Sequence, residues 1–171
     1  HHLHADTPED PHSPKIYGIW HILFGGAYYY VLAKRKPQVM KLGVGCPDDW
    51  IERNLYTPYS GLGVTLMLII DLALFGLWGW LVWGIQMIWI PFFAAGVING
   101  LGHWIGYRNT DTKDTSRNLF PIAFWIGGEE LHNGHHANGT SPKFSQKWWE
   151  FDIGWMYIQI LRALGLAKLR V

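Results

Sequence analysis

The chain has 171 residues, of which 49% are hydrophobic, 16% aromatic and 16% charged. That apolar and aromatic content excludes a disordered chain, and a net charge of +1 offers no electrostatic footprint for nucleic acid. A single cysteine, Cys46, excludes an internal disulfide framework and a cysteine-based zinc cluster.

Residues 1–14, HHLHADTPEDPHSP, hold three prolines and four histidines and read as the end of a helix followed by a turn. Residues 16–36 mix aromatic and basic groups and end in Lys34-Arg35-Lys36. The stretch PDDWIERNL, Pro47 to Leu55, carries a helix start: Asp48 or Asp49 can accept from the first free amides, with Glu52 close behind. That helix is expected to lie on a membrane surface. Cys46 just before it reads as a reduced thiol.

Residues 61–102 contain one charged group, Asp71. A crossing of a hydrocarbon core needs about 20 apolar residues, so this stretch holds two, expected at about 61–78 and 80–103 with a turn near Gly76 and Gly79. Lys and Arg occur six times in residues 1–60 and eight times in 103–171, which places both flanks, 1–60 and 104–171, on the cytosolic side. A buried helical pair in a soluble protein is the competitor, disfavoured because soluble core helices seldom have so little polar surface. The polar N-terminus and the length of the internal apolar run argue against a signal peptide. Asp71, about halfway along the first crossing, can bond within the hairpin, meet a partner helix or line a path.

Residues 107–118 are polar and read as a loop. Residues 119–127, LFPIAFWIG, are apolar but too short to span, and suit an interfacial or re-entrant segment. Residues 146–166 have the pattern of a Trp-rich amphipathic helix, either at a headgroup boundary or packed on the protein's own cytosolic part. The fold class is therefore all-α: an integral membrane hairpin with cytosolic and interfacial helices.

Nine histidines carry the chemistry. On a helix, His132, His135 and His136 stand at i, i+3 and i+4 and share one face. Three imidazoles there bury poorly without a cation to accept their lone pairs, and zinc, iron and copper all take imidazole; hydrogen-bonded or surface histidines are the alternative. Asn99 and His103 are spaced i, i+4 at the end of the second apolar helix, where a polar pair is either a hydrogen-bonded core group or part of a site. His1-His2, with His4 nearby, is the third group; a tag remnant is the alternative.

These motifs resemble the membrane fatty acid desaturases. HNGHH resembles the last histidine box of that family, NGLGHWIGYRN its isolated extra ligand segment, and HHLHADTPEDPHSP the end of its second box with the turn that follows. PDDWIERNLY and WWEFDIGWMYI resemble the bacterial acyl-CoA Δ9 branch. The resemblance implies a non-haem diiron enzyme that uses O2 and two electrons to leave a cis double bond in a saturated acyl chain. It implies metal ligands at His1, His2, His103, His132, His135 and His136, with Asn99 reaching one metal through a water. His12 falls in the turn and is not counted; His4 and His21 match no ligand position and read as surface groups. No catalytic residue beyond the ligands is implied.

The family's first box, HxxxxH, is absent, as are the first histidine of the second box and the helix pair that precedes it. The expectation is the C-terminal part of a longer chain, inactive alone and weak in metal binding. Implied partners are an acyl-CoA or acyl-lipid, membrane lipid, and an electron donor of rubredoxin, ferredoxin or cytochrome b5 type, at a bacterial inner membrane with the site facing the cytoplasm. Glu129 and Glu130 can accept from imidazole N–H groups or simply cap the box helix. Lys34-Arg35-Lys36 can meet phosphates or be a plain solvated turn. The rivals are a histidine-box hydroxylase of alkane or lipid, an inactive truncated desaturase, a metal-storing or metal-sensing membrane protein, and a zinc hydrolase, the last disfavoured by the absence of an HExxH pair.

Overall fold

In the computed structural model, residues 1–41 and 48–169 are described; the expectation for Cys46 lies outside them. Most of the ordered elements are helical, as the apolar periodicity predicts. The chain divides into two compact units, Leu32–Trp89 and a second made of His1–Val31 with Ile90–Val171.

The first of these units contains α3 (Pro37–Met40), a wide π-helical turn at Glu52–Tyr56, α4 (Leu62–Phe75) and most of α5 (Gly79–Ile90). The expected helix start is present, and Asp49 supplies it: its Oδ1 accepts from the Glu52 amide at 2.9 Å. Asp48 instead forms a two-pronged pair with Arg53 at 2.6 and 2.7 Å.

Helix α4 stops at Gly76, whose φ of +58° is cheap only for glycine. The chain then reverses. Trp83 donates its indole N–H to the carbonyl of Val64, 19 residues earlier, at 3.1 Å. Gly79 lies directly on the Asp71–Leu72 backbone, where a Cβ would come within 2.5 Å of the Asp71 carbonyl. The fold-back is thus made where the two glycines predicted it. Asp71 is buried, and its Oδ2 has no hydrogen-bond partner among the described residues. The helical stretch Leu62–Leu101, 40 residues, is long and apolar enough to cross a membrane.

The other unit opens on three successive i→i+3 turns through His1, His4, Thr7 and Asp10, then α1 (Pro14–Tyr17) and α2 (Ile19–Ala33). Helix α2 packs on the π-helical segment Pro91–Leu101. Pro91 has no amide to give to the preceding turn, and the winding beyond it is wide. The two helices touch backbone to backbone: a Cβ on Gly26 would strike the Ala95 carbonyl, and one on Gly96 the Leu23 carbonyl. Ile22, fully buried, fills the space beside Gly100. This crossing fixes the end of the segment, Gly102 and His103, against the turns that carry His1 and His2.

Beyond His103 come β1 (Ile122–Ala123), α6 (His132–Ala137), β2 (Phe151–Asp152) and α7 (Ile153–Ala163). The strands pair in parallel, Ile122 with Phe151 and Ala123 with Asp152. The expected helix over 146–166 is shorter than its pattern, because Phe151 and Asp152 are extended and paired with β1. Glu150 Oε2 accepts from Gln146 and Lys147 at 2.6 and 2.9 Å, and Asp152 Oδ2 accepts from Phe144 and Ser145. The helix starts only where Asp152 Oδ1 caps the Trp155 amide. Residues 119–127 are short and extended around β1, with Phe120, Ile122, Phe124 and Trp125 exposed.

Candidate metal centre

Three elements deliver imidazoles to one place. The opening turns bring His1 and His2, the end of the segment Pro91–Leu101 brings His103, and α6 brings His132, His135 and His136. The HNGHH run is helical, as its spacing required. Its asparagine anchors it: the Asn133 carbonyl oxygen accepts from the amides of Asn109 and Thr110 at 2.9 Å each, and its NH2 donates to the carbonyls of Thr110 and Ser116. Asn118 accepts from the Asn133 amide at 2.8 Å. The polar loop after His103 is thereby bolted to α6. Gly102 lies against the His132 ring, where a Cβ would come within 2.9 Å of it.

His1, His103, His132 and His136 each offer a ring nitrogen, and these four atoms lie within 4.8 Å of one another. His2 and His135 sit beside them, with ring centroids 4.4 Å apart and His2 stacked 4.5 Å from His136. All six expected ligand positions are therefore neighbours. Asn99 lines an adjoining cavity together with His1, His2 and His12. His4 is half-buried and His21 exposed, both outside the cluster. His12 is buried, and it, Asp10 and His1 also place ligand-type atoms within 4.8 Å of each other.

Hydrogen bonding decides which nitrogen of each ring is free. His1 Nδ1 lies 2.8 Å from Asp10, His103 Nδ1 lies 3.0 Å from Asp6, and His136 Nδ1 lies 2.8 Å from Asp114. An ionised carboxylate only accepts, so each of these Nδ1 atoms carries the hydrogen. In the neutral ring Nε2 then has a bare lone pair. The Nε2 atoms of His1 and His103 lie 3.3 Å apart, close enough for one cation to take both. His136 Nε2 and both nitrogens of His132 are buried without a hydrogen-bond partner among the described residues. A metal ion would take one nitrogen of each ring, so the donor set fits a bound cation of the imidazole-binding type.

The electrostatics keep the rings in ligand form. Burial, followed by the charges of neighbouring imidazoles, pushes His2 down to about 4 and His135 to about 3, and lowers His132 strongly. Burial raises Asp6 and Asp114, but the hydrogen bonds from His103 and Thr115, and from His136 and Ser116, outweigh it and hold both well below the usual carboxylate range. Glu129, lifted to about 7 by burial and then by Glu130 and Asp152, lies 3.9 Å from both His132 Nδ1 and His135 Nε2. Glu130 does not cap the box helix, which has no side-chain cap; it accepts instead from the amides of Trp125 and Ile126, ahead of that helix.

Sequence reasoning did not single out Asp6, Asp10 and Asp114. Their signal was present: the first two stand in the turn directly after the His1-His2 pair, and Asp114 stands in the loop after His103. Their partners are far along the chain, so only the fold could pair them.

A cavity of about 570 Å³ opens at the cluster. Its walls are apolar, from Ala27 and Val31 of α2 and from Ile90, Pro91, Ala94 and Ala95, with His1, His2 and Asn99 among its polar lining.

The chain is 32% identical over 169 residues to an sn-1 stearoyl-lipid 9-desaturase of Anabaena variabilis, covering 98% of this chain and 60% of that protein. It is 32% identical over 172 residues to a Delta-9 acyl-lipid desaturase of Arabidopsis thaliana (98% and 54%), and 35% identical over 173 residues to an acyl-CoA 5-desaturase of Anemone leveillei (98% and 51%). No family model and no solved structure matches the chain. It spans between about half and three-fifths of the length of these relatives. Related to them along nearly all of its own length, the chain belongs to the fatty acid desaturase family.

Proposed function

We propose that the chain carries ligands of the diiron centre of an O2-dependent fatty acid desaturase that introduces a cis double bond, at Δ9, into a saturated acyl chain. The observation that carries the reading is the convergence of His1, His103, His132 and His136, drawn from three separate elements, with their ring nitrogens within 4.8 Å. Those four would hold one iron, and His2 and His135 would contribute to the second, with Asn99 acting through a water.

Bound iron with O2 supplies the oxidising power to remove hydrogen from an unactivated CH2–CH2 pair. The chain's own residues do the rest. The neutral imidazole shell leaves the metals' positive charge uncompensated at close range, while Asp6, Asp10 and Asp114 set ring orientation from behind. The apolar cavity beside His1 and His2 has the surface to take a run of methylenes and to exclude water. It holds carbon atoms next to the imidazole cluster, where position counts for more than affinity.

The 9-desaturase and acyl-lipid names among the relatives favour a stearoyl-type chain on a lipid carrier, and an acyl-CoA relative keeps the CoA carrier in view. The hairpin of α4 and α5 spans the bilayer in this reading. Its outward faces are apolar, with Leu66, Ile69, Ile70, Leu74 and Leu77 exposed, a surface suited to lipid rather than water. The site faces the cytoplasm of a bacterial inner membrane, where an electron donor of rubredoxin, ferredoxin or cytochrome b5 type reaches it.

The test is product analysis by mass spectrometry in a host that expresses the desaturase bearing this chain with a saturated C18 substrate. Loss of two hydrogens at carbons 9 and 10 is the expected result. Gain of one oxygen would instead identify a hydroxylase, and an unchanged acyl pool in membranes whose protein holds iron would end the desaturase reading.

A further inference from the structure

The turn that follows His1-His2 contains the one non-glycine residue among the described residues with a left-handed backbone, Asp6 at φ +62°. An aspartate tolerates that conformation better than most residues, but it is held there by its surroundings. Its amide donates to Asp10 Oδ2 at 2.9 Å. Its Oδ1 accepts from the Ser13 hydroxyl at 2.9 Å. Its Oδ2 accepts from the Thr115 amide and hydroxyl, both at 2.7 Å, and lies 3.0 Å from His103 Nδ1. One carboxylate thus joins the opening turns to His103 and Thr115, 97 and 109 residues further along the chain.

We infer that Asp6 is a positioning residue for the metal centre: its Oδ2 fixes His103 in the Nδ1–H tautomer and aims His103 Nε2 at the metal position. The inference rests on the metal-centre reading above. The geometry supports it in three ways. His103 is fully buried, so no water competes for Nδ1. The ring sits at the end of a helix and has no other hydrogen-bonding carboxylate among the described residues. The left-handed backbone at Asp6 is what turns the side chain from its own segment toward Thr115 and His103, and Asp10 secures that backbone through the Asp6 amide.

The substitutions separate charge from shape. In Asp6→Asn the amide oxygen can take the place of Oδ2 while the NH2 meets the Ser13 hydroxyl, so the tautomer is retained. Asparagine also accepts the left-handed backbone. In Asp6→Gly the backbone is at ease and the acceptor is gone.

Two readouts test this on the detergent-solubilised full chain, labelled with 15N-histidine and with His103 assigned by its loss in His103→Ala. The first is the ring 15N spectrum of the metal-free protein. His103 is expected as Nδ1–H in the wild type and in Asp6→Asn, and as an Nε2–H-containing mixture in Asp6→Gly. The second is cobalt(II) titration followed by its visible ligand-field bands. Affinity is expected to fall about 10–100-fold in Asp6→Gly, with partial recovery in Asp6→Asn.

An Nε2–H tautomer in the wild-type protein overturns the inference without any variant, which keeps it testable should Asp6→Gly fail to fold by circular dichroism. So does a folded Asp6→Gly with wild-type tautomer and wild-type cobalt affinity. Failure of the wild type to bind cobalt(II) overturns the metal-centre reading, and with it the aim of His103 Nε2 at a metal, while the tautomer measurement separately decides whether Asp6 holds the His103 ring.

Discussion

At the scale of single residues, the cluster sets three buried or half-buried carboxylates behind a shell of neutral imidazoles, and each layer has its own expected failure. Removing a ring, as in His136→Ala, takes away a nitrogen of the four-atom group and, on the proposed function, is expected to lower bound iron and abolish turnover in the desaturase bearing this chain, read by metal analysis and product yield. Removing the support, as in Asp114→Ala, leaves the nitrogens present but frees the His136 ring, since its Nδ1 lies 2.8 Å from that carboxylate. The expected loss is about 10–100-fold in metal affinity, read by cobalt(II) titration.

The same layering gives a pH dependence whose sign can be worked out. His2, His135, His132 and His12 have folded-state values below the unfolded 6.5, each chiefly through burial. The unfolded chain therefore binds more protons between about pH 4 and 6.5, and their contribution is full above 6.5 and lost as pH falls. Glu129, raised to about 7, acts the opposite way between 4.5 and 7. Four rings outnumber one carboxyl, so the metal-free protein should melt at a lower temperature at pH 5 than at pH 7. An equal or higher melting temperature at pH 5 in chelator would contradict this balance.

At the scale of elements, glycine decides where helices come together. At Gly96 a Cβ would strike the Leu23 carbonyl, and at Gly26 the Ala95 carbonyl. Backbone atoms cannot step aside as side chains do, so Gly96→Ala is expected to destabilise by about 1–3 kcal/mol and to displace His103 from the cluster, reducing metal binding as well as stability. Gly84, inside α5, has nothing within 4 Å of where a Cβ would stand. Gly84→Ala should be neutral or stabilising by up to about 1 kcal/mol. Chemical denaturation of the two variants side by side checks the contrast.

These elements also show what could be read from sequence. The HNGHH helix and the reversal at Gly76–Gly79 were legible because their signals are local: i, i+3, i+4 spacing and a turn between apolar runs. The start of α7 was not. Its apolar pattern extends back to residue 146, but Phe151 and Asp152 pair as a strand with Ile122 and Ala123. A helical periodicity count does not register that non-local pairing. The pairing of Asp6 with His103 and of Asp114 with His136 was equally hidden, since each joins residues on separate segments of the chain.

At the scale of the whole molecule, the reading turns on which sides of a bilayer the polar segments occupy. Every described histidine and every Lys and Arg lies outside residues 61–102, and the turn at Gly76–Trp78 is free of charge. In the proposed topology the turn, where Leu77 and Trp78 are 87% and 73% accessible, meets water on the far side, and the rest of the hairpin lies in lipid. Two crossings then return the chain to the side it left, which allows His1 and His2 to meet His103, His132 and His136. A single crossing by the long apolar stretch would part them. Cysteine labelling separates these arrangements. In a Cys46→Ser background, Leu77→Cys should react with a membrane-impermeant maleimide in spheroplasts. Lys147→Cys, in the segment after the histidine helix, should react only in inverted vesicles. A Lys36→Cys that labels from the side opposite Lys147→Cys would mean one crossing, and the imidazole cluster could not then assemble in a membrane.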